Sequence, residues 1–244
     1  MSVRWVYAFA DRPAEAFGAA CEFWTTVTDT RASAPRGDDG EFVTLLPAEG
    51  DAFLKAQAVG GAGGVHLDLA VDDVAAAAAA AHPLGASVVA AHDGWQALRS
   101  PGGLPFCLVP WHGEAHRPPV VTGPGGDLSR LDQVCLDVPP PAYDAELAFW
   151  SGMTGWPVVP GGRPEFTVVQ SPPGQPLRLL VQRLADDGPI GAHLDIACAD
   201  VTATRARHEV AGARFARLGH GWTVMRDPAG VLYCLTGRDP GSGD

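Results

Sequence analysis

The chain has 244 residues, with 17 Lys and Arg against 28 Asp and Glu and a formal net charge of −11. That balance supplies no basic stripe, so nucleic acid and anionic membrane surfaces are repelled and a small molecule is the expected partner. Five cysteines at 21, 107, 135, 198 and 234, without a CxxC, argue against a disulfide framework or a structural zinc knuckle and point to a reducing, cytoplasmic setting.

The N-terminus reaches Asp11 and Arg12 too soon for a secretory signal. WVYAFAD at 5–11 reads as an opening strand, AEAFGAACEFW as a helix and AFLKAQAV at 52–59 as a closing strand. GGAGG at 60–64 lacks the Lys-Ser/Thr of a phosphate loop and reads as a hinge. His66, Asp68 and Ala70 then alternate with Leu67, Leu69 and Val71, the period of a strand. Asp73 stands where an N-cap belongs, Val74 to His82 form an alanine-rich helix, and Gly85 stops it. That apolar run is far short of the ~20 residues needed to span a bilayer. ASVVAA, WQALRS and PFCLVPW follow as short strands.

HGEAHRPPVVTGPGGDLSR at 112–130 replaces any hydrophobic period with proline, glycine and polar residues, and reads as a linker over 114–128. Its two histidines share no helical face, so HGEAH is not a metal motif. Beyond it the plan repeats. QVCLDVP at 133–139, the helix AYDAELAFW and the strand LRLLVQRL come first; HLDIACADV, a helix from Val201 to Ala211 capped by Asp200 and stopped by Gly212, and the strands ARFARL, WTVMRD and LYCLTG follow. His66 to His193, Gly85 to Gly212, Trp95 to Trp222, Gly103 to Gly230 and Cys107 to Cys234 share one offset (193 − 66 = 127), the mark of a tandem duplication. An α+β protein of four βαβββ units in two pairs is expected, with domains at 1–113 and 129–240.

FWSGMTGW at 149–156, the paired HLDLAVDDV and HLDIACADV, and RDPAGVLYCL at 226–235 resemble the vicinal oxygen chelate superfamily, in its glyoxalase-like or bleomycin-resistance-like domains. The first copy departs from the pattern at Asp29, where Gly155 stands in the second, and at SPGG instead of DPAG. The resemblance implies a cup-shaped cleft in each copy, with ligands on the first and last strand of each unit. Carried over, it gives Trp5, Gln57, His66 and Cys107 in the first cleft and Gln133, Gln182, His193 and Cys234 in the second. Neither set holds a carboxylate for a hard cation, and one His with one Cys leaves zinc two ligands short, so no metal and no cofactor are expected.

Each candidate has a structural alternative. His66 and His193 are read as cleft-lining residues. Cys107 and Cys234 sit among apolar neighbours and read as small hydrophobes rather than nucleophiles, with no recognisable oxyanion hole beside them. Asp68 and Asp195 share the histidines' face and could act as bases, but a buried pair with Arg99 and Arg226 is the expected arrangement. Trp222 suits stacking on a flat ligand, whereas Trp24 and Trp150 belong to the core. The expectation is a protein that binds a small organic molecule without an intact metal site, as monomer or homodimer. The alternative is a metal-dependent lyase, isomerase or dioxygenase; a first copy with a filled pocket that serves as an assembly surface is a third reading.

Overall fold

A computed structural model describes residues 2–242. Val3–Pro13 (β1) leads through a single 3-10 turn into Phe17–Val27 (α1), and Thr30–Ala32 (β2), Phe42–Pro47 (β3) and Leu54–Val59 (β4) close the first unit. Gly64–Val71 (β5), Val74–Ala81 (α2), Ser87–His92 (β6), Trp95–Arg99 (β7) and Pro105–Pro110 (β8) form the second. After Val121–Thr122 (β9), the third unit is Leu128–Val138 (β10), Tyr143–Thr154 (α3), Val158–Pro160 (β11), Phe166–Val169 (β12) and Arg178–Arg183 (β13). Gly191–Cys198 (β14), Val201–Val210 (α4), Arg214–Leu218 (β15), Trp222–Arg226 (β16) and Leu232–Thr236 (β17) complete the fourth. The α+β class with four tandem βαβββ units is what the chain adopts.

Each sheet is drawn from one sequence copy: β2-β3-β4-β1-β5-β8-β7-β6 in the first, and β11-β12-β13-β10-β14-β17-β16-β15 in the second, where β9 also pairs with β10. Compact packing divides the chain differently. One unit takes the residues through Ala8 with His66–His116 and Val134–Ala192, and the other takes Phe9–Val65, Arg117–Gln133 and the residues from His193 onward. In the first unit Phe106 of β8 meets the rings of Phe149 and Trp150 on α3, both at 5.5 Å. In the second, Phe23 and Trp24 of α1 meet Tyr233 of β17 at 5.7 and 5.3 Å. Trp24 and Trp150 are fully buried, as the sequence suggested.

A fully buried indole N–H must find an acceptor, and the two units solve this with different carboxylates. Trp24 Nε1 donates to Asp227 Oδ2 at 3.0 Å, which also accepts from Arg12 Nε at 2.5 Å, while Asp227 Oδ1 accepts the turn amides of Ala229 and Val231. Ser100 stands at the position of Asp227 in the first copy, too short for this role. There Trp150 Nε1 donates to Glu146 Oε2 at 2.8 Å, and the Gly102 amide donates to Glu146 Oε1.

The caps follow the sequence. Asp73 accepts from the Ala76 amide and Asp200 from the Ala203 amide, both at 2.9 Å, and Gly85 and Gly212 have φ of 102° and 106°, the left-handed region that spares only glycine a steric penalty. The 114–128 segment is more ordered than a plain linker. Leu128 and Ser129 pair with Thr122 and Val121, and Asp127 accepts from Arg207 Nε at 3.0 Å, which ties the hairpin to α4. Within the expected hinge at 60–64 one glycine approaches another segment: a Cβ on Gly63 would lie 2.4 Å from the Asp11 carbonyl oxygen, whereas Gly60, Gly61 and Gly64 have open space around them. No helix among the described residues is long and apolar enough to cross a membrane.

Candidate functional site

Strand parity builds the two clusters that matter. Residues i and i+2 of a strand point to one face, so His66 and Asp68 of β5 project together, as do His193 and Asp195 of β14. β5 and β8 run parallel with Asp68 opposite Cys107, and β14 and β17 run parallel with Asp195 opposite Cys234. The same donor set therefore assembles twice. One ligand atom each from His66, Asp68 and Cys107 lies within 4.8 Å of the others, and the same holds for His193, Asp195 and Cys234. His66 Nε2 stands 3.7 Å from Asp68 Oδ1, and His193 Nε2 stands 3.3 Å from Asp195 Oδ1. The aspartates are nearly closed off, while the side chain of His193 keeps 16% of its surface accessible against 10% for His66.

Two expectations from the sequence are corrected here. The anticipated Asp68–Arg99 and Asp195–Arg226 pairs do not form, because Arg99 and Arg226 occupy the solvent-facing ends of their strands. There they donate to the Gly103 and Gly230 carbonyls of the following turns, each at 2.8 Å. The carry-over from the resemblance also left carboxylates out of both donor sets, and the geometry puts Asp68 and Asp195 in them. The signal was present in the spacing His-x-Asp, which fixes a shared face.

The surroundings of the two clusters differ. Gln133 Nε2 donates to Asp195 Oδ2, bracing the carboxylate from β10. Helices α1 and α3 start 126 residues apart (143 − 17 = 126), so the first-copy counterpart of Gln133 is Tyr7, and Trp5 matches the core residue Leu131. Trp5 is 1% exposed, and the Tyr7 hydroxyl donates to Glu114 of the supposed linker. Glu114 is itself held by the His112 amide at 3.0 Å, and its carbonyl accepts from Trp111 Nε1 at 3.0 Å. Nothing in the local sequence of HGEAH signalled that contact, which depends on how the chain turns back after β8.

Gln57 and Gln182 hold equivalent places, half-buried and opposite Phe42 and Phe166 on the neighbouring strands. Gln182 Oε1 lies 3.7 Å from Cys135 Sγ, so these two side chains share a face. Trp222 is half-buried at the start of β16, with the His220 ring 6.5 Å away. None of the five cysteines forms a disulfide. Burial pushes the thiols of Cys21 and Cys198 up to about 11 and about 12, which leaves both protonated and inert at neutral pH.

The sequence pattern of the glyoxalase-like domain family matches residues 8–109 and 133–236. No curated protein matches in sequence. Among solved structures, a mutant of 4-hydroxymandelate synthase from Streptomyces coelicolor is 14% identical with a TM-score of 0.65, and the match covers 96% of this chain and 92% of that one. A 2,2',3-trihydroxybiphenyl 1,2-dioxygenase from Sphingomonas wittichii strain RW1 is 16% identical with a TM-score of 0.62, covering 96% and 90%. A variant of homoprotocatechuate 2,3-dioxygenase from B. fuscum is 14% identical with a TM-score of 0.64, covering 98% and 72%. At these identities the likeness is one of fold.

Proposed function

The chain belongs to the glyoxalase-like domain family, and from that membership we propose that its second copy is a divalent-metal site for a small oxygen-bearing organic molecule, with His193, Asp195 and Cys234 as donors. The observation that carries this reading is the convergence of a nitrogen, an oxygen and a sulfur ligand atom within 4.8 Å. The set suits zinc, which takes His, Asp and Cys and leaves a fourth position to water or substrate in catalytic sites. The two-His, one-carboxylate set of non-haem iron oxygenases needs a second histidine that this set lacks, which favours an isomerase or lyase over a dioxygenase.

When bound, such an ion polarises a carbonyl or lowers the pKa of a water. The chain's own residues supply the rest. Gln133 fixes the rotamer of Asp195 by donating to Oδ2 and leaves Oδ1 turned toward His193. Outer-shell partners of this kind raise ligand precision and affinity. Trp222, in the same compact unit as the cluster, is proposed to line the organic molecule's site. His66, Asp68 and Cys107 form the second-ranked site, since Trp5 and the Tyr7–Glu114 contact fill the first copy's β1 side.

Metal-free binding of the organic molecule is the second reading, and one observation favours it: the Asp195 carboxylate faces groups of the chain itself, with Gln133 Nε2 donating to Oδ2 and His193 Nε2 at 3.3 Å from Oδ1. Elemental analysis of protein purified without chelator separates the two. About one zinc per chain, lost in His193→Ala and kept in His66→Ala, is the expected result; absence of stoichiometric metal in the unaltered protein would transfer the conclusion to metal-free binding.

A further inference from the structure

A second place in the molecule has the makings of a ligand site and uses none of the His193 cluster. It is a cavity of about 30 Å³ within the unit that contains α1, walled by the end of α1, β2–β4, the 117–121 segment and the start of β10. Leu45, Phe53 and Leu54 give it apolar walls, and Arg117 and Arg130 both line it. The Nε atoms of these two arginines are buried and have no hydrogen-bond partner. Among the described residues neither arginine is ion-paired. Arg130 Nη1 reaches, among the described residues, the Gly241 carbonyl alone, at 3.5 Å. Asp132, the acid whose field acts on both, is taken bidentately by Arg238 at 2.5 and 2.6 Å.

Two guanidiniums line one small cavity, and the acids whose fields reach them, Asp132 for both and Asp239 for Arg130, form no ion pair with either among the described residues, which makes an unfavourable arrangement. Burial lowers the pKa of both, and each has a second arginine adding to that: Arg238 for Arg117, and Arg117 for Arg130. The remaining polar lining is spent, because Thr28 Oγ1 donates to the Trp24 carbonyl at 2.6 Å and shares a hydrogen bond with Thr30 Oγ1. An anion would relieve the repulsion and occupy the orphaned donors, and the arginine fork matches a carboxylate. Since one water needs roughly 10–15 Å³ in this measure, the space admits a carboxylate with a short tail and nothing of drug size.

We propose that this cavity binds a small carboxylate of two or three carbons, its head group on Arg117 and Arg130 and its alkyl end against Leu45, Phe53 and Leu54. The site is separate from the proposed metal site and stands or falls independently of it. Isothermal titration calorimetry of the whole chain with sodium propionate at fixed ionic strength tests it, beside propionamide and sodium nitrate, in Arg117→Gln, Arg130→Gln and His193→Ala. Saturable binding of propionate at one per chain is expected, at least tenfold weaker in either arginine variant, unchanged in His193→Ala and absent with propionamide. No saturable binding, equal binding of nitrate, survival in both arginine variants, or loss in His193→Ala would each overturn the proposal. Should either glutamine variant melt early, lysine at that position takes its place, and the lost fork should still weaken propionate binding.

Discussion

Asp227 carries more of the fold than any motif role would suggest. One buried carboxylate accepts from Arg12 Nε, the Trp24 indole and two amides of the 227–231 turn. Asp227→Ala would strand a fully buried positive charge, so a loss of about 3–5 kcal/mol is expected by urea denaturation, with Asp227→Asn costing less. At the proposed metal site, Gln133→Leu should lower zinc affinity by roughly 10- to 100-fold in competition titrations by removing the brace on Asp195. His208 sets a pH dependence. Packed beside the Phe23 ring and 2.9 Å from the Tyr233 hydroxyl, it is held neutral, with its pKa pushed down to about 3 by burial and by Arg207. Its folded pKa lies below the ordinary value, so the unfolded chain binds the extra proton. The stabilisation is complete above the ordinary histidine pKa and is lost as pH falls toward 3, at up to about 1.4 kcal/mol per pH unit. Denaturation between pH 7 and 4 should show that slope, flattened in His208→Gln.

At the level of elements, the sequence signals are local and held. Asp73 and Asp200 each cap a helix through one amide, and replacing either with Ala should cost about 1 kcal/mol in melting experiments. Helix α2 is the more sensitive of the two, because it is two residues shorter and buries two alanine methyls, Ala77 and Ala81, where α4 buries the larger Thr204 and His208. Strands were legible from period-2 alternation, but their facing was not. Val65 through Val71 are buried on both sides of β5, so the polar alternation of His66 and Asp68 marks an enclosed cluster rather than a solvent face. Arg99 and Arg226 likewise share their strands' parity with residues on the aspartate face, yet turn away to cap loops.

At the level of the whole molecule, duplication in sequence and division in packing do not coincide. Each sheet belongs to one copy, while the aromatic clusters around α1 and α3 each join residues of both copies. Residues 1–116 expressed alone would expose Phe23, Trp24 and Phe106, whose ring partners lie at Phe149, Trp150, His208 and Tyr233. Neither 1–116 nor 117–244 is expected to give a cooperative thermal transition by itself, and mixing the two should recover one. A sharp transition from either half alone would show that the sheets suffice.

The sequence by itself determined the class and order of the four βαβββ units, the helix caps and the tandem repeat, because these rest on contacts within a few residues and on a register that survives duplication; it did not locate β9, which lies in the stretch read as a linker, nor the middle strands of the first and third units. It placed His66, His193, Cys107 and Cys234 on strands, and strand parity already set Asp68 and Asp195 beside the histidines. Only the tertiary structure decided what those aspartates meet, since the choice between Arg226 on a neighbouring strand and His193, Gln133 and Cys234 depends on strand pairing and side-chain direction. The Tyr7–Glu114 contact and the arginine-lined cavity were likewise invisible, because each joins residues distant in the chain whose meeting is set by how packed elements turn.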